Sequence, residues 1–162
     1  MSDENYLDPQ SFFKKYKVEL GNMEAKELQG SLKIVCEALS IIPPAVSDDI
    51  IRSCDLYISS AGGYFVDCLD KSKDKSFIFV CSENSLSHSA EWILLHEAAH
   101  FFHGHTESNY IREKAEKEAD QTRDQWISYY KQWVMKMSGH RDILKFISPE
   151  TIDSWKPKKQ QS

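Results

Sequence analysis

The feature that most constrains this chain is the pentapeptide His96-Glu97-Ala98-Ala99-His100, set in an apolar run from Trp92-Ile93-Leu94-Leu95 to Phe101-Phe102. A run so apolar has to be buried, and the spacing of its polar members is helical. Residues four apart on an α-helix share one face and lie one turn apart. The two imidazoles therefore project side by side, with Glu97 rotated off them by one residue. Burying two histidines and a carboxylate among apolar neighbours costs free energy unless each finds a partner. A metal ion gripped by both rings supplies one. The His-Glu-x-x-His spacing is that of zinc hydrolases, in which the glutamate takes a proton from a water on the metal.

The remaining sequence sets the frame for that helix. With 162 residues, 41% of them hydrophobic and 28% charged, the chain has material for one packed core. Residues 1–155 are expected to form a single domain, and residues 156–162, with Lys156, Lys158 and Lys159, a polar basic tail. The formal net charge of −5 argues against direct nucleic-acid binding. The start, Met1-Ser2-Asp3-Glu4-Asn5, lacks the apolar core of a secretory signal, and no stretch is apolar enough to span a membrane. A cytoplasmic protein with no membrane partner is expected. Cys36, Cys54, Cys68 and Cys81 contain no Cys-x-x-Cys spacing and read as reduced thiols.

Periodicity predicts a short helix over 9–18 and a stronger one over 22–40, with Leu28, Leu32, Val35, Cys36 and Leu39 on one face. Pro43-Pro44 should stop the second helix, and Ser47 should cap another. Residues 55–59, 64–69 and 76–81 read as strands, with Gly62-Gly63 as a turn between the first two. The motif helix should start near Ser87 or Ser89 and end at Gly104. A long helix over 109–137 and a short one over 141–147 complete the reading, the latter ending before Pro149. The expected fold class is therefore α+β: a small, largely antiparallel three-stranded sheet packed with several helices, zincin-like, with the motif on the active-site helix.

A catalytic zinc takes three protein ligands and leaves one position open. In the motif with a third histidine close by, a glycine and a histidine stand where this chain has His103 and Thr106, so that arrangement is disfavoured. The segment Glu113-Lys114-Ala115-Glu116-Lys117-Glu118-Ala119-Asp120 offers glutamates instead. The apolar stripe of its helix holds Ala115, Ala119, Trp126, Tyr130 and Trp133, flanked by Glu116 and Glu118 on opposite sides. Gln121, Gln125, Gln132 and Lys136 continue the Glu118 side, whereas Ile127 and Val134 continue the Glu116 side. Glu116, on the more apolar side, is assigned as third ligand, with Glu118 the alternative and Glu113 behind it. Asp120, one turn beyond Glu116, is placed to accept the second N–H of a ligand histidine and fix its tautomer.

Over roughly residues 55–127 these features resemble the ImmA/IrrE-type zinc metallopeptidases. The resemblance lies in Phe77-Ile78-Phe79-Val80-Cys81 with the polar stretch after it, in the motif helix with its trailing Phe101-Phe102-His103, and in Glu116-Lys117-Glu118-Ala119-Asp120. It implies zinc at His96, His100 and Glu116, Glu97 as general base, and a protein substrate that is a helix-turn-helix transcriptional repressor, whose cleavage relieves repression. The chain departs from the family at Ala99, where a glycine is common, and at Gln121-Thr122-Arg123-Asp124-Gln125-Trp126-Ile127 in place of a small, leucine-rich segment.

The expected activity is thus zinc-dependent hydrolysis of a peptide bond in a protein. Glu97 takes the proton of the attacking water and passes it to the leaving amine. His103, His105 and Tyr110 are the nearby candidates for stabilising the oxyanion. Zinc suits two imidazoles and a carboxylate, and Mn2+ or Fe2+ could occupy the same ligands. The alternative is a non-proteolytic zinc-binding regulatory or interaction domain.

Overall fold

The computed structural model describes residues 6–21, 32–59, 76–81, 90–105, 111–137 and 149–154. In chain order these form α1 (Pro9–Lys15), α2 (Lys17–Gly21), α3 (Leu32–Ile41), α4 (Pro44–Ser53), β1 (Cys54–Ser59), β2 (Ser76–Cys81), α5 (Ala90–His103), α6 (Arg112–Lys136) and α7 (Pro149–Ser154).

Local chemistry sets the helix ends. Asp8 caps α1, its carboxylate accepting from the Ser11 backbone N–H at 2.9 Å, and Pro9 fills the first turn, where no N–H is needed. The predicted helix over 9–18 is broken at Tyr16, whose hydroxyl donates to Asp48 at 2.9 Å and ties this region to α4. The same proline logic corrects the reading of Ser47. Pro43 stands at the N-cap and Pro44 opens α4, so Ser47 lies inside the helix and is buried. Its hydroxyl donates to the Leu39 carbonyl at 2.6 Å, joining α4 to the end of α3. Pro149 likewise opens a helix, α7. The predicted helix 141–147, residues 22–31 of the predicted helix 22–40, and the tail 156–162 lie outside the described residues.

The expected α+β fold with a largely antiparallel three-stranded sheet is overturned. Helix dominates the described residues. The two strands among them pair in parallel, from Cys54 with Ser76 to Ser59 with Cys81. Alternating side chains mark a strand without carrying its direction. Gly62-Gly63 suggested a hairpin, whereas parallel strands need a crossover of about a dozen residues or more. The strand candidate 64–69 lies outside the described residues.

The motif helix α5 packs against α6, α3 and β2. Trp92, Ile93, Leu94, Leu95, Ala98, Ala99 and Phe101 are all buried. From α6 come Ala115, Ala119, Trp126, Ile127, Tyr130 and Val134, and from α3 Val35, Cys36, Ala38, Leu39 and Ile41. Alanines on both α5 and α6 keep the side-chain layer between the helices thin, so that polar groups on the two can meet directly. Farther along α6, Tyr130 meets the Tyr6 ring edge-on and Trp133 meets it tilted, each with its centroid 5.6 Å away. Trp126 and Tyr130 thus belong to the core, while Tyr129 is exposed. Cys36 and Cys54 are buried, and burial pushes the Cys36 thiol up to about 11. Among the described residues no helix is long and apolar enough to cross a membrane.

Candidate metal centre

Three side chains converge where α5 faces the first turns of α6. His96 Nε2 lies 3.0 Å from His100 Nε2 and 2.9 Å from Glu116 Oε2, and His100 Nε2 lies 3.3 Å from Glu116 Oε1. The α5 side is closed, with the His100 side chain 1% exposed, whereas that of Glu116 is 40% exposed. Glu97 is completely buried, and its Oε1 stands 4.0 Å from His96 Nε2.

The groups around the cluster assign its protons. His105 Nε2 lies 3.0 Å from Glu118 Oε2, and an ionised carboxylate only accepts, so His105 carries its proton on Nε2 and donates. Neutral His105 then has its lone pair on Nδ1. That nitrogen lies 2.9 Å from His100 Nδ1, which must be the donor. His100 is left with a lone pair on Nε2, aimed into the cluster. For His96, Asp120 Oδ1 lies 2.9 Å from Nδ1, off the axis of the ring N–H, so this is a close electrostatic contact rather than an aligned hydrogen bond. A proton on Nδ1 makes that contact attractive and again leaves the lone pair on Nε2.

Two imidazole lone pairs and a carboxylate thus meet at about 3 Å. Three acceptors at that distance repel one another unless a cation lies among them. The spacings of 2.9, 3.0 and 3.3 Å also fit the donor set. Ligands about 2.0–2.1 Å from a tetrahedral zinc stand roughly 3.3 Å apart. His96, His100 and Glu116 could therefore hold a metal ion by donor chemistry and by spacing.

Both histidines are held from behind. Asp120 is steadied by Arg123, whose Nη1 lies 2.9 Å from Oδ1, and the Arg123 guanidinium lies over the Trp92 ring at 3.7 Å. The other support comes from the end of α5. Gly104 has φ 67°, a left-handed conformation that glycine adopts without a Cβ clash. The Gly104 N–H donates to the Phe101 carbonyl at 3.0 Å, and the His105 N–H reaches back to the His100 carbonyl at 3.1 Å. This is a Schellman turn, which brings the residue after the glycine against the last full turn of the helix. Here the two side chains so matched are His105 and His100, with ring centroids 5.1 Å apart. The hydrogen bond from His105 is the main reason the Glu118 carboxyl is held below its usual range. That contact therefore stabilises the fold above the ordinary carboxylate pKa and is lost as the pH falls through the lower folded value.

Of the residues read from the sequence, the structure brings together His96, His100 and Glu116 and sets Glu97 and Asp120 beside them. Glu118 faces His105, and Glu113 is exposed. His103 is exposed, with Nε2 2.6 Å from Thr122 Oγ1, and Tyr110 lies outside the described residues. Both nitrogens of His105 are engaged, so it supports His100 rather than standing free for an oxyanion. The sequence reading missed that role. Its signal is the spacing His100-x-x-x-Gly104-His105: a glycine that ends the helix and a polar residue just after it. Gly104→Ala is expected to cost about 1–2 kcal/mol in urea unfolding and to weaken zinc binding roughly 10–100-fold by loosening this support. Unchanged zinc affinity in a chelator competition would show that the turn does not position His100.

No protein-family model, no curated protein and no solved structure matches this chain.

Proposed function

We propose that the protein is a zinc-dependent metallopeptidase that acts in the cytoplasm on a protein substrate. The observation that carries this reading is the convergence of three lone-pair donors, His96, His100 and Glu116, beside the fully buried Glu97. When bound, zinc would supply a Lewis acid that activates water and polarises a carbonyl. His96 and His100 hold the site from α5 as neutral rings, their protons kept on the far nitrogens by Asp120 and by the His105–Glu118 pair. Glu97 is the general base: its carboxylate takes the proton of the attacking water and delivers it to the departing amine. The half-exposed Glu116 side is where a peptide would approach.

The substrate class, a DNA-binding helix-turn-helix repressor, is suggested by the resemblance of the motif segments to ImmA/IrrE-type peptidases, and the chain's net charge of −5 suits a protease that leaves DNA contact to its substrate. The test is hydrolysis of purified repressors of this class by the full chain before and after chelation. Cleavage should stop with the chelator and return with one equivalent of zinc. Zinc binding without cleavage of any protein would instead favour a regulatory zinc-binding domain.

A further inference from the structure

Beside the first cluster, His103, His105 and Glu118 each place one potential ligand atom within 4.8 Å of the others. The two rings are stacked, with centroids 5.3 Å apart and planes 15° from parallel. His103 reaches Thr122 Oγ1 through Nε2 at 2.6 Å. A hydroxyl can donate or accept, so Thr122 leaves either tautomer of His103 open. Burial, followed by the neighbouring His105, lowers the His103 pKa and favours the neutral ring. Two imidazoles and a carboxylate form the same borderline donor set as the first cluster. This group lies farther out, with His103 exposed and the Glu118 side chain 35% exposed, and Lys114 Nζ stands 3.8 Å from Glu118 Oε1. A facing ammonium and easy access to water make any ion here weaker and quicker to exchange than at His96, His100 and Glu116.

We propose that His103, His105 and Glu118 form a second site for a divalent transition-metal ion, and that filling it weakens the first. The site follows from the cluster alone; the coupling rests also on the first-site reading. It follows from the one lone pair of a neutral imidazole. While His105 accepts from His100 through Nδ1, its Nε2 carries the proton and points it at Glu118. To offer Nε2 to a metal, His105 must move that proton to Nδ1. His100 Nδ1 must then become the acceptor, so the His100 proton moves to Nε2, into the first cluster. Each ring keeps one N–H throughout. One arrangement arms the first site and the other arms the second. Excess metal would therefore oppose the resident ion through His105, without competing for the same ligands.

The experiment is a calorimetric zinc titration of the full chain with a competing chelator, alongside His103→Ala, His103→Gln and His96→Ala, with circular dichroism to compare folding. The wild type should take up two equivalents, the second at least about 10-fold more weakly, the scale of support by an outer partner. Both His103 variants should lose the second equivalent and keep the first. His96→Ala should lose the first and bind the remaining equivalent more tightly than the wild-type second step, because His100 no longer has to keep its lone pair inward. Glu116→Ala, at a half-exposed position, serves the same purpose should His96→Ala fail to fold. A single wild-type equivalent that survives both His103 substitutions, or a second equivalent that does, overturns the site. Equal second-step affinities in the wild type and His96→Ala overturn the coupling. One weak equivalent in the wild type that vanishes with His103 would remove the first-site reading and leave the second standing.

Discussion

Glu116→Ala is expected to abolish stable zinc binding at the first cluster while leaving the helices in place. Glu116 is half-exposed, so its loss opens no cavity in the core, yet it supplies the only carboxylate of the first cluster. Losing a direct ligand should exceed the roughly 10–100-fold affinity loss that follows removal of an outer-shell partner. The measurement is zinc content after purification without added metal, followed by a chelator-competition titration. Glu118→Ala is the comparison. It leaves three donors at the first cluster and removes from behind it the acceptor of His105, so the loss at that cluster should stay within the outer-shell range. The reverse order of effects would mean that Glu118 holds the ion and that the geometric assignment of Glu116 is wrong.

Glu97→Gln should separate binding from chemistry. The substitution preserves volume at a completely buried position and leaves His96, His100 and Glu116 untouched. It removes a carboxylate able to accept a proton. Zinc binding should persist, while repressor cleavage falls by about 10²–10⁴-fold, the usual worth of a positioned general base. Single-turnover assays at saturating zinc are the check. Full cleavage by the glutamine variant would remove Glu97 from its role. Persistent relief of repression without cleavage would identify a function in binding instead of hydrolysis.

The motif helix was the most legible part of the chain, because helical periodicity and apolar burial both act within a few residues. His96 and His100 are forced to one face once that segment is a helix. The apolar side of α6 could also be read from Ile127 and Val134, both buried, and it is the side on which Glu116 meets the two histidines. The strands were legible as extended segments, but their pairing was not. Cys54–Ser59 and Ser76–Cys81 lie parallel, and direction depends on how the intervening chain crosses over. Pro43-Pro44 ends α3 as expected, but Ser47 was misread as a cap because the same prolines also begin α4, as Pro149 begins α7: a ring that stops one helix is equally suited to begin the next.

The sequence by itself determined the donor types and their spacing along α5, since four-residue spacing on a helix needs no tertiary information. Only the tertiary structure decided which carboxylate on α6 meets the two rings, because Glu116, Glu118 and Asp120 lie within a turn and a half of one another and differ in what faces them across the helix pair. Glu116 meets both ligand nitrogens, Asp120 approaches the back of His96, and Glu118 is engaged by His105. Tertiary structure also decided the protons. A histidine's lone pair points wherever its neighbours leave room for it, and the chain turn at Gly104 that carries His105 back to His100 keeps that lone pair on Nε2.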